Sequence, residues 1–168
     1  ADAMLCGLVG RFEAHLGHVR DIIGLQQGVS TLGTMNAVML PEHTLFITDT
    51  FVNENPSAEE LAEIARLAAI EIRRFGIPPR VAFVSHSMFG SSDRQSALKM
   101  RAARDLFAAS MPDVPCDGEM HGDAALSEEV RSSFLDDSTL TGNANLLVMP
   151  NLDAANILFN VLKMTSGK

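Results

Sequence analysis

The sequence predicts an α/β fold, in the form of a three-layer α/β/α sandwich with a mostly parallel sheet. Short apolar runs alternate with longer segments whose apolar residues recur at helical spacing, which is the pattern of βαβ units. Glycines and prolines separate these segments. With 46% hydrophobic and 20% charged residues over 168 positions, the composition is that of a single ordered globular domain.

The first quarter of the chain predicts one helix and three strands. Residues 4–9 form a short apolar run that predicts a strand, and residues 12–23 predict a helix that ends at Gly24. Residues 35–40 and 45–48 predict strands joined by a hairpin-like Pro41-Glu42-His43-Thr44 connection. We expect these two strands to pair antiparallel at an edge of the sheet.

The clearest helix signal begins at Ser57. Ser57 followed by Glu60 predicts a capping box, in which each side chain satisfies the backbone N–H of the other residue. Apolar residues then recur at helical spacing from Leu61 to Phe75, and Gly76 supplies the stop.

The remaining segments continue the alternation. Strands are predicted at residues 81–84, 116–120 and 145–149. Helices are predicted from a cap at Ser92 or Asp93 to about residue 110, over residues 126–135, and after Pro150-Asn151. Cys6 and Cys116 do not form a disulfide framework. We expect both to be small buried hydrophobes in a reducing compartment.

Composition and motifs argue against several classes of function. A net charge of −8 and the absence of Tyr and Trp argue against nucleic-acid binding. We expect no membrane contact, because no apolar run has the length of a spanning helix and no signal peptide begins the chain. The first residues instead predict a cut inside a longer polypeptide. Dinucleotide, P-loop and nucleophile-elbow motifs are missing from the sequence.

The strongest candidate site is the segment from Ser85 to Asp93, which leaves a strand, crosses a Ser/Gly loop and enters a helix. Backbone N–H groups and the helix dipole favour an anion there, at the carboxyl end of a strand. The side chains of Ser85, His86, Ser87 and Ser91, with the backbone of Gly90, are candidates to bind phosphate or acyl oxygens. The alternative is an ordinary capped loop.

Other polar groups follow the later strands. Asp117, Glu119, His121 and Asp123 alternate, so that a continuing strand would place all four on one face. Metal binding, cleft lining and plain surface all remain open for them. Further candidates for ligand contact are Asp49, Asn53, Asn151, Asp153 and Asn156, for which capping is the favoured interpretation. Arg20 is an anion ligand or a surface charge at a helix end.

Taken together, these segments resemble the phosphate acetyl/butyryl transferase family over almost the whole chain. The resemblance is strongest to the branch formed by the phosphotransacetylase-like C-terminal domain of large bacterial NAD(P)-dependent malic enzymes. Its most specific motifs are Asp117-Gly118-Glu119-Met120-His121 and Met149-Pro150-Asn151-Leu152-Asp153-Ala154-Ala155-Asn156. The same family resemblance extends to residues 1–7, 19–24, 49–53, 56–64, 74–78 and 85–87.

The resemblance implies a fold of the isocitrate/isopropylmalate dehydrogenase-like type, with two α/β domains and an acyl-CoA cleft between them. Residues 1–168 would be mainly the second domain, excised from a larger protein. By resemblance, Arg20 and the Ser85-His86-Ser87 loop face the anionic substrate. His86 stands where the transferases have Tyr, and Met88-Phe89 interrupt the small polar run, which argues against acyl-phosphate chemistry.

The expected function is therefore a regulatory acetyl-CoA-binding and oligomerisation domain. The parent would be a cytoplasmic malic enzyme, a homo-oligomer (dimer or higher), that uses NADP or NAD with Mg²⁺ or Mn²⁺ in another region. This chain itself would bind no cofactor and have no catalytic or metal-binding residue. A phosphate acetyltransferase and a pure assembly domain are the alternatives.

Overall fold

In the computed structural model, which describes residue 7, residues 9–41 and residues 43–165, the chain forms two compact units. The first unit ends at Leu32 and contains helix α1 (Phe12–Ile22), which stops before Gly24 at a φ of +73°. The second unit begins at Gly33 and contains the sheet with its helices. Most of the strand predicted at residues 4–9, including Cys6, lies outside the described residues.

The sheet has five strands in the order β1-β2-β5-β3-β4. They are β1 (Met35–Met39), β2 (Thr44–Thr48), β3 (Val81–Val84), β4 (Cys116–Met120) and β5 (Leu146–Val148). β1 pairs antiparallel with β2 at the edge, while β2 with β5, β5 with β3, and β3 with β4 are parallel. The mostly parallel sheet and its antiparallel edge pair are confirmed.

Helices cover both faces of this sheet. They are α2 (Ala58–Arg74), α3 (Gln95–Ser110), α4 (Gly122–Leu126), α5 (Glu128–Ser132) and α6 (Leu152–Thr165). Phe46, Val81 and Phe83 pack in one buried cluster with residues of α2 and α3. Their strand neighbours Ile47 and Ala82 pack in a second cluster with residues of α4 and α6. Because successive strand residues point to opposite faces, the three-layer sandwich is confirmed.

Helix α2 forms as its sequence predicts. The backbone N–H of Glu60 donates to Ser57 Oγ at 3.2 Å, and the backbone N–H of Ser57 donates to Glu60 Oε2 at 2.7 Å. This capping box fixes the first turn, and Gly76 follows the helix at a φ of +76°. No helix within the described part of the chain has the length and apolar character needed to cross a membrane.

Two local predictions are wrong. α3 begins after Arg94, because the Ser92 hydroxyl accepts from the Arg94 N–H outside the helix at 3.3 Å. The helix expected at residues 126–135 is the shorter α5, since Ser127 is extended and caps it, and the preceding α4 was not predicted. On α6, Ile157 and Val161 are 63% and 52% exposed.

Gly118 shapes the end of β4. Its φ is +138°, and a Cβ there would lie 2.6 Å from the backbone oxygen of Phe83. The pairing of β4 with β3 shifts at this point, because Phe83 lies opposite Gly118 whereas Val84 lies opposite Met120. Glu119 is therefore an extra residue in the strand, and it begins the polar site described below.

We expect Gly118→Ala to lower the free energy of unfolding by about 2–4 kcal/mol, because the new methyl group meets the Phe83 carbonyl in a strained backbone conformation. Urea unfolding monitored by circular dichroism measures this change. Gly122→Ala is the control, since nothing lies within 4 Å of its Cβ position. Equal stabilities of the two variants would contradict the assignment.

Candidate functional site

The carboxyl ends of the four parallel strands meet at one edge of the sheet, and a polar segment follows each of them. Asp49 follows β2, Ser85 follows β3, His121 follows β4, and Asn151 lies shortly after β5. In open α/β sheets this edge is where ligands bind. The chain therefore brings its predicted polar motifs of the second unit to one side of the sheet.

Glu119 is the most deeply placed acidic group at this edge, with an exposure of 0%. Its Oε1 accepts from Ser87 Oγ at 2.7 Å and from the backbone N–H of Gly90 at 2.9 Å. Arg101 of α3 donates from Nε to Glu119 Oε2 at 2.9 Å and from Nη2 to Oε1 at 3.1 Å. This bidentate pair joins β4, α3 and the loop after β3.

The same contacts keep Glu119 ionised. Burial raises the pKa of its carboxyl, but hydrogen bonds from Arg101, Ser87 and the Gly90 amide outweigh burial and lower the pKa to about 2. Hydrogen bonding to Glu119 correspondingly raises the pKa of Arg101. At neutral pH Glu119 is therefore a permanent hydrogen-bond acceptor and not a proton-transfer group.

The loop after β3, residues 85–92, has an inner and an outer set of polar groups. Ser85 and Ser87 form the buried inner set. Ser91 is exposed, and its hydroxyl accepts from the backbone N–H of Met88 at 2.9 Å. His86 is exposed, and its Nε2 lies 3.3 Å from Ser92 Oγ. His121 Nε2 bonds to the backbone oxygen of His86 at 3.0 Å. The inner groups fix the loop, whereas the outer ones remain accessible.

Asp49 organises the loop after β2. Its Oδ1 accepts from the backbone N–H groups of Thr34, Phe51 and Val52 at 3.1–3.2 Å. Its Oδ2 accepts from the backbone N–H of Asn53 at 2.8 Å and from Asn53 Nδ2 at 2.6 Å. Asp49 is 3% exposed, and both of its carboxylate oxygens accept hydrogen bonds from the loop. It therefore stabilises the loop from its buried side.

Of the polar residues around the start of α6, two form hydrogen bonds within the fold and one is exposed. Asn151 Oδ1 accepts from the backbone N–H of Ala154 at 2.9 Å, which is the capping contact expected at a helix N-terminus. Asn156 Nδ2 donates to the backbone oxygen of Thr50 at 3.1 Å, which ties α6 to the Asp49 loop. Asp153 is exposed in the first turn of α6.

The common face predicted for Asp117, Glu119, His121 and Asp123 is wrong. β4 ends at Met120, so that His121 precedes α4 and Asp123 lies in its first turn. The extra residue at Glu119 also breaks the alternation, and Asp117 bonds instead to Ser138 Oγ at 2.8 Å. Among the described residues, no three His, Cys, Asp or Glu side chains are grouped to hold a metal ion.

Sequence reasoning missed two basic residues that hold this edge together. Arg101 pairs with Glu119 as described, and Lys99 Nζ donates to Asn55 Oδ1 and to the Pro150 backbone oxygen, both at 2.8 Å. Their partners lie 18 to 51 positions away, so helical spacing gives no signal for them. Arg20 is exposed on α1 in the first unit, and its predicted role stays a prediction.

The predicted burial of Cys116 is confirmed. Its side chain is buried, and burial raises the pKa of its thiol to about 11. A thiol in this state is unreactive at neutral pH.

Comparison with protein families gives a match to Phosphate acetyl/butaryl transferase over residues 1–168. The chain belongs to this family. It is 53% identical to an NADP-dependent malic enzyme from Escherichia coli (strain K12), over 100% of this chain and 22% of that protein. It is also 53% identical to an NAD-dependent malic enzyme from Rhizobium meliloti (strain 1021), over 97% of this chain and 21% of that protein.

Phosphate acetyltransferases are more distant relatives. One from Synechocystis sp. (strain ATCC 27184 / PCC 6803 / Kazusa) is 31% identical over 97% of this chain and 23% of that protein. The chain thus spans about a fifth of the length of these curated relatives. Its resemblance to the phosphotransacetylase-like part of bacterial malic enzymes is confirmed.

Solved structures agree with the fold. A phosphotransacetylase from Streptococcus pyogenes superposes with a TM-score of 0.85 at 29% identity, over 95% of this chain and 49% of that chain. A phosphotransacetylase from Staphylococcus aureus gives a TM-score of 0.84 at 28% identity, over 89% of this chain and 46% of that chain. The chain therefore has the fold of one part of a phosphotransacetylase.

We expect Glu119→Gln to lower the free energy of unfolding by about 2–4 kcal/mol at pH 7, because Arg101 loses its buried ionised partner. The folded-state pKa of Glu119 is lowered from 4.5 to about 2, so its stabilisation is complete above pH 4.5 and is lost as the pH falls towards 2. Urea unfolding at pH 7 and at steps down to about 2 should show the wild type and the variant converging.

Glu71→Gln is the matched control, because it removes a carboxylate from the exposed pair with Arg74 and should change stability by under about 1 kcal/mol. A Glu119→Gln deficit that does not depend on pH would show that the charge of Glu119 is not what stabilises the loop.

Proposed function

We propose that this chain is a regulatory domain that binds an acyl-CoA, such as acetyl-CoA, within an NAD(P)-dependent malic enzyme. Such an enzyme oxidatively decarboxylates malate to pyruvate. The observation that carries the proposal is the loop of residues 85–92, which is held rigidly by the Glu119–Arg101 pair at the carboxyl edge of the sheet. The identity of 53% to malic enzymes supports the choice of parent.

The outer groups of this loop suit an acyl-CoA chemically. The phosphates and the thioester carbonyl of that ligand accept hydrogen bonds, and His86 and Ser91 are exposed groups able to donate them. Arg94, exposed just before α3, adds a positive charge beside the loop. Ser87 and the Gly90 amide, by contrast, are engaged by Glu119 and act as supports.

Binding is favoured over catalysis at this edge. A general base operates best with a pKa near the working pH, whereas the pKa of Glu119 is about 2. Asp49 is enclosed by its own loop and is likewise engaged. We therefore assign a regulatory role to the chain, with NADP or NAD and Mg²⁺ or Mn²⁺ bound elsewhere in a cytoplasmic parent. Regulation then requires that acyl-CoA bind two states of the parent with different affinity.

Acetyl transfer between CoA and phosphate is the second candidate. The similarity to the phosphate acetyltransferase from Synechocystis sp. and the TM-score of 0.85 with a phosphotransacetylase favour it. Formation of acetyl-CoA from acetyl phosphate and CoA by the purified chain would support this candidate over the regulatory one.

We expect acetyl-CoA to bind the chain saturably in isothermal titration calorimetry and to raise its Tm by roughly 5 °C at about 100 times Kd. Ser91→Ala and His86→Ala should each weaken binding by about 10-fold, since each removes one hydrogen bond to a charged ligand. Ser110→Ala is the control, because this exposed serine lies at the opposite end of α3.

Two results would count against the regulatory proposal. One is the absence of heat and of a Tm change at millimolar acetyl-CoA, both for this chain and for a full-length malic enzyme that contains it. The other is equal affinity in the Ser91, His86 and Ser110 variants, which would place the ligand away from the loop.

We also propose that the chain forms a homo-oligomer, a dimer or higher, through α6. Ile157, Val161 and Met164 recur at helical spacing with exposures of 63%, 52% and 72%, so that they form one apolar stripe on the surface of the second unit. A second copy of the same stripe is the simplest cover for it, since a two-fold interface uses one patch twice. A pure assembly domain would use this surface without any ligand.

We expect light scattering after size exclusion to give a mass of at least two chains, and Val161→Glu to give the monomer mass, because a charge in an apolar interface is costly to bury. Leu98→Glu is the control, since it introduces the same charge at an exposed apolar position of α3. A wild-type chain that is monomeric at high micromolar concentration would contradict the interface.

A further inference from the structure

A cavity lies at the opposite edge of the sheet from the proposed acyl-CoA loop, where the parallel strands begin. It has a volume of about 570 Å³, within the range of small-molecule sites. His43 and Thr44 line it at the start of β2, Arg80 precedes β3, and Asn143 and Asn145 precede β5. This cavity shares no residue with the loop proposed to bind acyl-CoA.

The charge of the lining contrasts with that of the chain. The chain carries 21 acidic and 13 basic residues, yet no aspartate or glutamate is among the described residues that line the cavity. Arg80 supplies a permanent positive charge, and His43 adds an imidazole. A concave surface with this lining attracts an anion despite the net charge of −8.

Arg80 is held in place by hydrogen bonds of its backbone and of its side-chain Nε. Its backbone N–H donates to Asn145 Oδ1 at 2.7 Å, and its backbone oxygen accepts from the Asn145 N–H at 2.9 Å. Nε donates to the Asn143 backbone oxygen at 2.6 Å. The Nη1 and Nη2 groups remain for a ligand, because Arg80 makes no salt bridge with any acidic residue in the described parts of the chain.

The other wall is equally fixed. Asn143 Oδ1 accepts from the Glu128 backbone N–H at 3.2 Å, which leaves the Nδ2 amide of Asn143 as its donor to a ligand. Arg131 is only 1% exposed, and its Nη2 donates to the backbone oxygens of Leu140 and Gly142 at 2.6 and 2.7 Å. The loop that carries Gly142 and Asn143 is therefore ordered before any ligand arrives.

We propose that this cavity binds the oxyanion group, phosphate or carboxylate, of a small metabolite. The two Nη groups of Arg80 match two oxygens of such a group, and Asn143 Nδ2, Thr44 and His43 are positioned along the same cavity to donate further hydrogen bonds. The site is independent of the proposed acyl-CoA loop and provides the domain with a second point at which a metabolite acts.

The test is a titration of the ¹⁵N-labelled 168-residue chain with inorganic phosphate and, separately, with acetate at constant ionic strength. We expect saturable shifts of the Thr44, Gly142 and Asn143 amide signals at low millimolar concentration. Phosphate and acetate together identify the source of the oxyanion, since a phosphate site responds more strongly to phosphate and a carboxylate site to acetate.

Substitutions then assign the site. Arg80→Gln should weaken binding by at least 10-fold, and Arg80→Lys should weaken it several-fold because the fork of donors is lost. Arg73→Gln is the matched control, because it removes an arginine charge from an exposed pair with Asp113, and it should stay within about twofold of wild type.

Any of three results would overturn the proposal. The first is that neither anion shifts these amides. The second is that the shifts occur only in residues 85–92. The third is equal binding by Arg80→Gln and Arg73→Gln when both variants give wild-type circular dichroism. If Arg80→Gln does not fold, the Arg80→Lys affinity decides, and a wild-type value for it would also overturn the proposal.

Discussion

The carboxylate of Glu119 connects three segments that are far apart in the sequence, and the geometry of the carboxyl edge depends on it. Arg101 reaches it from α3, while Ser87 and the Gly90 amide reach it from the loop after β3. A buried carboxylate is costly unless it is fully paired, and these donors supply the pairing. Loss of any one of these donors would therefore leave the buried carboxylate incompletely paired and would destabilise the fold.

The backbone at Gly118 is what makes this placement possible. The shift in pairing between β3 and β4 inserts Glu119 as an extra residue, so that Cys116 and Met120 pack in opposite cores although they are an even number of residues apart. Only glycine is accommodated at position 118, because a Cβ would meet the Phe83 oxygen. One strand irregularity therefore links the packing of the sheet to the site at its end.

The polar residues of the second unit consequently fall into two groups, one that stabilises the loops from inside and one that is accessible to a ligand. The first group is nearly inaccessible and forms its hydrogen bonds with backbone and loop groups; it consists of Glu119, Asp49 and Arg131. Such internal braces order a surface in advance, which reduces the entropy lost when a ligand binds. The accessible groups, among them His86 at one edge and Arg80 at the other, are carried on loops that these braces have already fixed.

The sequence by itself determined the alternation of strands and helices, the capping box at Ser57, the antiparallel edge pair and the position of the polar loops after the strands. These features depend on local periodicity and on contacts between residues close together in the chain. The family resemblance was also evident from the sequence, through motifs such as Asp117-Gly118-Glu119-Met120-His121. Because the carboxyl ends of parallel strands meet, even the gathering of these motifs at one edge followed from their order.

Only the tertiary structure decided which polar groups are braces and which are accessible. Sequence reasoning grouped Glu119 with His121 and Asp123, because it could not foresee the extra residue that ends the alternation in β4. It missed Arg101 and Lys99, since their partners come from other elements. The exposure of Ile157 and Val161 likewise came only from the structure, because helical spacing marks an apolar face but not what covers it. Pairing and burial depend on contacts between distant segments, and those contacts exist only once the chain has folded.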